Sequence, residues 1–162
     1  MEADAFLGAV LDEAAALAWR EAQRAAGRRV VSTNGVFDLL HAGHVAYLAW
    51  SRAQGDALIV LMNEDDSVRL LGKGADRPIV AFADRARVVA ALRSVDAVTG
   101  FRQRTPETLL DRLQPDVHVK SAQYRLEDLP ERYVVERHGG RIVLAPHAAG
   151  RSTTDLLAAI RR

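Results

Sequence analysis

The sequence predicts an α/β protein with a doubly wound, Rossmann-like sheet of five parallel strands. Short apolar runs of strand length alternate with amphipathic helical patterns along most of the chain, which is typical of parallel sheets covered by helices. Polar candidate residues repeatedly follow the C-terminal ends of those runs, where doubly wound sheets bind their ligands. No internal repeat or low-complexity linker interrupts the alternation.

The first segment predicts an amphipathic helix. Apolar residues recur at helical spacing from about Ala3 to Ala26, and Gly27 then provides a stop signal. We therefore expect an N-terminal helical extension over residues 1–28, packed on the domain or on a partner subunit, and one α/β domain over residues 29–162.

The next segment predicts a βαβ unit. Arg29 to Thr33 forms its first strand, Gly43 to Ala53 its helix, and Ala57 to Met62 its second strand. The second strand is continuously apolar, as expected for a parallel strand that is covered on both faces. Its crossover should be right-handed.

A polar loop at 63–67 and a segment rich in glycine and charge at 71–78 come next. The second of these has the composition of a loop able to fold over a ligand, although a solvated connection has the same composition. A helix is predicted over 82–94, in which Arg85 and Arg93 are eight residues apart and share roughly one face.

The remaining elements continue the alternation. Thr105 is expected to cap a helix with Pro106 at its first position. Further strands are predicted at 95–99, 116–120 and 141–145, and further helices at 105–113, 126–138 and from the polar turn 150–155 to residue 160.

Composition narrows the function classes. Charged residues make up 27% and the formal net charge is +1, so no general attraction to nucleic acid is expected. Cysteine is absent, which excludes disulfides and thiolate metal sites. The first residues are acidic and no apolar run approaches membrane-spanning length, so a cytoplasmic protein without membrane contacts is expected. Nearly every positive charge is arginine, and the two exceptions are Lys73 and Lys120.

The segment Val30 to His44 carries the strongest functional signal. An apolar strand passes through Asn34-Gly35 into a helical pattern with two histidines in its first turn. Free amides and the positive end of a helix dipole meet at such a point and favour phosphate. A lone histidine or an Asn-Gly pair usually has no such role, but here the parts follow one another without a gap.

Gly35-Val36-Phe37-Asp38-Leu39-Leu40-His41-Ala42-Gly43-His44 resembles the signature of the cytidylyltransferase-like nucleotidyltransferases. Within that superfamily the chain is similar to the adenylyltransferases that activate heptose 1-phosphate for bacterial cell-surface polysaccharide. Glycerol-3-phosphate cytidylyltransferases are similar as well. The residues shared with these families extend from Thr33 to the Ser152-Thr153-Thr154 triplet and so cover almost the entire chain.

The resemblance implies direct nucleotidyl transfer from ATP or CTP to a sugar or polyol phosphate, with Mg²⁺ bridging the nucleotide phosphates and pyrophosphate leaving. A homodimer is expected, because relatives are usually oligomeric. The implied catalytic group is His41, His44, Lys73 and Arg85. The implied nucleotide contacts are Asn34, Gly35, Val36, Phe37, Asp38, Gly43, Lys120, Ser152, Thr153 and Thr154. The implied contacts to the sugar phosphate are Asn63, Arg77 and Arg93. No protein ligand for a metal is assigned.

The sequence departs from the family pattern at several points, and one of them lies beside the expected nucleotide. Where the heptose family usually reads Lys-Gly-Gly-Asp-Tyr, this chain reads Lys120-Ser121-Ala122-Gln123-Tyr124. Two alternatives therefore stay open: a glycerol-3-phosphate cytidylyltransferase, or a nucleotide-binding domain with weakened catalysis. A dehydrogenase-like nucleotide binder is disfavoured, because no Gly-x-Gly-x-x-Gly follows the first strand.

Overall fold

The structure, a computed structural model, describes residues 8–72, 74 and 76–146. Within those ranges the chain forms six strands: β1 (Ala9–Leu11), β2 (Val30–Gly35), β3 (Ala57–Asn63), β4 (Ala97–Phe101), β5 (Val117–Ser121) and β6 (Arg141–Ala145). All pairings are parallel, and the strands lie in the order β1-β4-β3-β2-β5-β6. The strand order therefore reverses between β2 and β5, which defines the topological switch point of the sheet.

Helices cover both faces of this sheet. They are α1 (Glu13–Ala25), α2 (Ala42–Arg52), α3 (Asp65–Leu70), α4 (Phe82–Ala90), α5 (Glu107–Leu113) and α6 (Glu131–Glu136), with a 3-10 turn at Leu126–Asp128. One buried cluster joins the sheet to α2 and α4, and a second joins its other face to α1, α5 and α6. All seven residues of β3 are buried. The predicted doubly wound α/β fold is thus confirmed.

The sheet has one strand more than predicted. Ala9, Val10 and Leu11 pair with Ala97, Val98 and Thr99 at the edge of the sheet, so the helix predicted from Ala3 is wrong over these residues. The helix begins only at Glu13, where the carboxylate of Asp12 accepts the Ala15 amide at 2.8 Å. Periodicity did not separate three apolar residues from the helix that follows. The boundary at residue 28 stays a prediction.

Several other element bounds also differ, among them β4, which was predicted at 95–99 and spans Ala97–Phe101. Helix α4 ends at Ala90 and not at Ser94. The helix predicted over 126–138 is divided at Pro130, which lacks an amide hydrogen, into the 3-10 turn and α6. Helix α5 begins at Glu107 without a side-chain cap from Thr105. The helix predicted after residue 150 lies outside the described residues.

Three aspartates, each just before a strand, accept backbone amides at the start of the neighbouring strand. Asp56 accepts the Arg29 amide at 2.8 Å, Asp96 the Leu58 amide at 2.7 Å, and Asp116 the Val30 amide at 2.7 Å. Each carboxylate thus satisfies a backbone donor at the amino edge of the sheet, opposite the edge where ligands bind. Among the described helices, none has the length and apolar character needed to cross a membrane.

Candidate functional site

The loop from β2 to α2 turns sharply at Phe37. This residue has φ 50° and is 6% exposed. A bulky residue in the left-handed region is strained, and such strain is often found at functional sites. The Phe37 ring packs on Gly35, where an added Cβ would lie 2.9 Å from Phe37 Cε2. Gly35 is therefore needed for the close approach of ring and backbone.

The two histidines come together at the start of α2. Their rings are stacked with centroids 3.8 Å apart, and the edge of the Phe37 ring meets His44 at 5.2 Å. Nδ1 of His41 accepts the Gly43 amide at 3.1 Å, so the proton of the neutral ring lies on Nε2. That nitrogen can donate to a ligand. The predicted pairing of His41 and His44 on one face is therefore present in the structure.

The helix start presents fewer free amides than the sequence suggested. His41 is the N-cap residue, and its side chain occupies the Gly43 amide. The His44 amide donates to His41 O at 2.9 Å. An anion at this helix terminus would thus meet imidazole donors first, and Gly43 would offer its amide only if the His41 ring moved.

His44 is held neutral by its surroundings. Burial, followed by the charge of neighbouring His41, lowers the pKa of His44 to about 4, while a backbone hydrogen bond with Leu39 opposes the shift. At neutral pH this imidazole can therefore donate one hydrogen bond but carries no charge.

Asp38 organises a neighbouring loop. Its buried carboxylate accepts the Ile79 amide at 2.9 Å and the Val80 amide at 3.0 Å, and it lies 2.5 Å from Nε of Arg77. Asp38 and Arg77, which the sequence assigned to the nucleotide and to the acceptor, thus bind each other. The carboxylate holds residues 77–80 beside the β2–α2 loop.

Arg85 lies beneath the site with its charge paired. It is 2% exposed and donates to Val80 O at 2.8 Å, Val36 O at 2.6 Å, Asn63 O at 3.0 Å and Asp65 Oδ1 at 2.7 Å. The guanidinium therefore joins the loops that follow β2 and β3 to the start of α4. The Asn63 side chain is also occupied, since its Nδ2 donates to Ser67 Oγ at 2.8 Å.

The remaining predicted site residues have different outcomes. Arg93 is exposed in the turn before β4, at the amino edge of the sheet, so the structure does not bring it to the histidines. The predicted shared face with Arg85 fails because α4 ends at Ala90. Four predicted residues lie outside the described part of the chain: Lys73, Ser152, Thr153 and Thr154.

Lys120 ends beside Asn34 at the switch point. Its Nζ donates to Asn34 Oδ1 at 2.9 Å and to Glu131 Oε1 at 2.7 Å, and it lies 5.1 Å from the centre of the Tyr124 ring. Glu131 is 3% exposed and begins α6. The sequence analysis missed this residue, because a glutamate in the first turn of a helix normally faces solvent. Its position just after Pro130 was the only available signal.

A cavity among the described residues lies elsewhere on the same edge of the sheet. It measures about 400 Å³ and lies between the ends of β1 and β4. Polar and aromatic side chains line it, among them Glu64, Phe82, Phe101, Arg102 and Gln103. Strand β4 is two strands from β2, the strand that leads to the histidines.

The described residues do not provide a cage for a metal ion. Within residues 8–72, 74 and 76–146, no group of three or more histidine, cysteine or carboxylate side chains could hold a metal ion. Asp38, the carboxylate in the β2–α2 loop, is occupied by two amides and Arg77. Magnesium commonly binds through substrate phosphates, so we treat it as a component of the nucleotide substrate.

Comparisons with known proteins agree on one family. The family model described as cytidylyltransferase-like matches residues 32–156. A D-beta-D-heptose 1-phosphate adenylyltransferase from Bordetella bronchiseptica is 50% identical over 135 residues, covering 83% of each chain. The Bifunctional protein HldE of Halorhodospira halophila is 48% identical over 94% of this chain, and that of Streptomyces coelicolor is 51% identical over 91%. The chain spans only 32% and 31% of those two bifunctional relatives.

Solved structures agree on the fold. A lipopolysaccharide core biosynthesis protein from Thermoplasma volcanium matches with a TM-score of 0.64 and 24% identity, covering 77% of this chain and 100% of that one. A pantoate-beta-alanine ligase from Francisella tularensis matches with a TM-score of 0.59 and 10% identity, covering 95% and 77%. At these identities the likeness concerns the fold alone.

Proposed function

The chain belongs to the cytidylyltransferase-like family, and from that membership we propose that it transfers the adenylyl group of ATP to a sugar phosphate of the heptose 1-phosphate type. Its predicted class, a nucleotidyltransferase enzyme, is confirmed by the family match and by the adenylyltransferase relative. ATP is favoured over CTP because the similar protein from Bordetella bronchiseptica is named an adenylyltransferase.

One observation carries the proposal at the level of chemistry. Two stacked imidazoles lie at the start of α2, just beyond the carboxyl end of β2 and beside the switch point. Parallel α/β sheets bind nucleotides at this place. The helix dipole and the imidazole donors together favour an anionic, phosphate-bearing ligand.

The reaction follows from the chemistry of these groups. A phosphate oxygen of the acceptor attacks the α-phosphorus of ATP, and the bond from that phosphorus to the β-phosphate oxygen breaks as pyrophosphate leaves. The attacking oxygen is already ionised near neutral pH, so no general base is required. Catalysis then consists of positioning and of stabilising charge on the α-phosphoryl oxygens. His41 supplies a hydrogen bond to those oxygens through Nε2–H. Neutral His44 supplies one when its single N–H turns from Leu39 to the phosphoryl group.

Other predicted residues act indirectly in this proposal. Arg85 and Asp38 are occupied by protein groups and keep the loops around the histidines in place. Roles for Lys73, Ser152, Thr153 and Thr154 at the nucleotide phosphates stay predictions. A cytoplasmic location and a homodimer stay predictions as well.

We assign the sugar part of the acceptor to the cavity between β1 and β4. Carboxylate, amide and guanidinium groups there can bond to hydroxyls, and Phe82 and Phe101 provide apolar faces for a carbon chain. The volume of about 400 Å³ is within the range of small-molecule sites. Glu64, which follows Asn63, connects this cavity to the edge of the sheet near the histidines.

Pyrophosphate release tests the proposal directly. Purified protein with Mg²⁺ would be assayed with ATP and CTP, each against heptose 1-phosphate and glycerol 3-phosphate. We expect release with ATP and heptose 1-phosphate only. Release with CTP and glycerol 3-phosphate alone would overturn the proposed substrates in favour of the glycerol alternative.

A binding measurement separates a weak enzyme from a wrong assignment. If ATP binds by calorimetry while no pair releases pyrophosphate above background, the domain has lost turnover. The changed segment from Lys120 to Tyr124 motivates this second candidate. If neither ATP nor CTP binds, the assignment of the β2–α2 loop as a nucleotide site fails.

A further inference from the structure

We propose that Glu131 is a positioning residue for the nucleotide site, acting through Lys120 on the side-chain amide of Asn34. The inference rests on the proposed function, because it concerns how the same site binds its nucleotide. It assigns a role to a residue that the sequence pattern did not single out. It also changes the role of Lys120 from a direct nucleotide contact to a part of the scaffold.

The three side chains form a chain of hydrogen bonds at the switch point. Glu131 Oε1 accepts from Lys120 Nζ at 2.7 Å, and the same Nζ donates to Asn34 Oδ1 at 2.9 Å. They come from three elements: the start of α6, the end of β5 and the end of β2. The bonds therefore connect α6 to the last residues of β2, immediately before the loop that leads to the histidines.

The charge of Lys120 is compensated inside the protein. Its side chain is 10% exposed and that of Glu131 is 4% exposed, so the pair is buried and its net charge is zero. Two of the three ammonium donors are in use, and the Tyr124 ring flanks the nitrogen. A neutral, buried pair exerts little attraction on a triphosphate, in contrast to an unpaired surface lysine.

The pair instead fixes which way the Asn34 amide points. An ammonium only donates, so the atom that faces Lys120 must be the amide oxygen. The amide nitrogen Nδ2, with its two hydrogens, then faces away from Lys120. Within the described ranges, no group accepts from Nδ2, and Asn34 is only partly buried. The free donor lies at the carboxyl end of β2, where a nucleotide oxygen can accept from it.

The second carboxylate oxygen supports a functional origin for the pair. Glu131 Oε2 is buried and has no hydrogen-bond partner among the residues that the structure describes. An unsatisfied buried acceptor is costly, and a pair of apolar side chains of similar volume would often be equally stable. Orientation of Asn34 gives a reason for keeping the charges.

A double-mutant cycle on MgATP affinity tests the inference. Calorimetry would give the Kd of MgATP for the wild type, Glu131→Gln, Asn34→Ala and the double variant. We expect Glu131→Gln and Asn34→Ala each to weaken binding roughly tenfold, the size of one lost hydrogen bond to a charged group. In the Asn34→Ala background, Glu131→Gln should leave the Kd unchanged, because both changes act through the same amide.

A direct contact between Lys120 and phosphate predicts the opposite change in MgATP affinity. If Lys120 bound phosphate directly, Glu131→Gln would remove a compensating negative charge and tighten MgATP binding. Tighter binding in Glu131→Gln, or a double variant weakened by the product of the two single factors, would overturn the inference. A merely structural role of Glu131 would lower stability equally in both backgrounds without this dependence of the Kd on Asn34.

Two further variants keep the test interpretable. Glu136→Gln removes a carboxylate from an exposed pair with Arg132 on the same helix and should leave the Kd unchanged. If Glu131→Gln does not fold, the double change Lys120→Met and Glu131→Met removes both charges together, and it should weaken MgATP binding by the same factor of roughly ten. Wild-type protein that binds neither ATP nor CTP would refute the proposed function itself, which is a different result from a wrong sign in the cycle.

Discussion

At the residue scale, the β2–α2 loop depends on contacts between neighbours in the sequence. His41 caps its own helix, stacks on His44 and leaves Nε2–H available, while Phe37 supports the second ring at its edge. The strained backbone at Phe37 and the absence of a side chain at Gly35 make this arrangement possible. The proposed reactive end of the site is thus built within a few residues of one strand.

The first prediction concerns His44→Ala. Loss of a donor at the α-phosphoryl group should lower the rate of pyrophosphate release roughly 100-fold or more. Stability should fall by only about 1 kcal/mol, through the lost edge contact with Phe37. Initial rates of pyrophosphate release check the first value, and urea unfolding checks the loss of stability. His138→Ala, which removes an imidazole paired with Asp111 far from the loop, is the matched control.

The pH profile adds a second readout for the same residue. Because the pKa of His44 is lowered to about 4, its protonation should not change between pH 6 and 8. A rate inflection within that range that disappears in His44→Ala would contradict the neutral role given to this ring. Unfolding of the variant would indicate a structural role.

At the element scale, loops from different strands are held together by buried polar side chains. Arg85 on α4 joins the loops after β2 and β3 through backbone oxygens and Asp65. Asp38 fixes residues 77–80, and Asp65 also accepts the Phe82 amide at the start of α4. The loops around the histidines are therefore positioned by groups that do not themselves face a ligand.

The second prediction is that Arg85→Lys destabilises the fold. A lysine keeps the charge but cannot reproduce the forked set of bonds, so at least two buried acceptors lose their partner. We expect a loss of about 3 kcal/mol in the free energy of unfolding. Chemical denaturation measures this loss. Arg132→Lys, in an exposed pair with Glu136 on α6, is the control and should change stability by less than about 0.5 kcal/mol. Wild-type stability combined with lost transfer would instead indicate direct contact with the reacting phosphates.

The third prediction concerns the cavity between β1 and β4. Glu64→Gln should raise the KM for the sugar phosphate several-fold, since a charged acceptor for hydroxyls is lost. The KM for ATP should stay the same, because β4 is two strands away from β2. Steady-state kinetics with each substrate varied in turn separates the two constants. Glu21→Gln, in an exposed pair on α1, is the control, and an equal rise in both KM values would argue against the assignment.

At the scale of the whole molecule, a polar layer lies buried within the sheet. His118 is completely buried on β5, with Nδ1 2.8 Å from Ser32 Oγ. Burial, and then the nearby charge of Lys120, lowers the pKa of His118 to about 3. The folded chain thus carries an imidazole that stays neutral over the physiological range.

The fourth prediction is that this histidine makes stability depend on pH. Between pH 6.5, the ordinary value for an unfolded histidine, and about 3, the unfolded chain binds a proton that the folded chain does not. Stability should therefore fall as pH drops below about 6.5, by up to about 1.4 kcal/mol per pH unit from this group.

Urea unfolding at pH 7, 6 and 5 gives the slope of the free energy of unfolding against pH for the wild type and for His118→Gln. Because carboxylates also contribute, the difference between the two slopes is the quantity of interest. An unchanged slope in His118→Gln would show that the buried His118 ring is not the source of the pH dependence of stability.

Local sequence patterns were sufficient to predict the alternating α/β fold, the β2–α2 loop and the pairing of its histidines. These features depend on local patterns: apolar runs, turn residues and a spacing of three within one helix. The family resemblance rested on the same local segments, and the comparisons confirmed it. Interactions between near neighbours are expressed in the order of residues, so they can be inferred without coordinates.

Tertiary structure alone decided which charges face a ligand. Lys120 meets Asn34, which is 86 residues away in the chain, and Glu131, a residue with no helical or strand pattern to mark it as buried. Arg85 was expected at the reacting phosphates and is buried with its bonds made, and Arg93 lies at the opposite edge of the sheet. Strand β1 was read as helix because its partner β4 is far along the chain. Periodicity reports the face of an element, whereas the partner of a buried charge depends on which elements pack together.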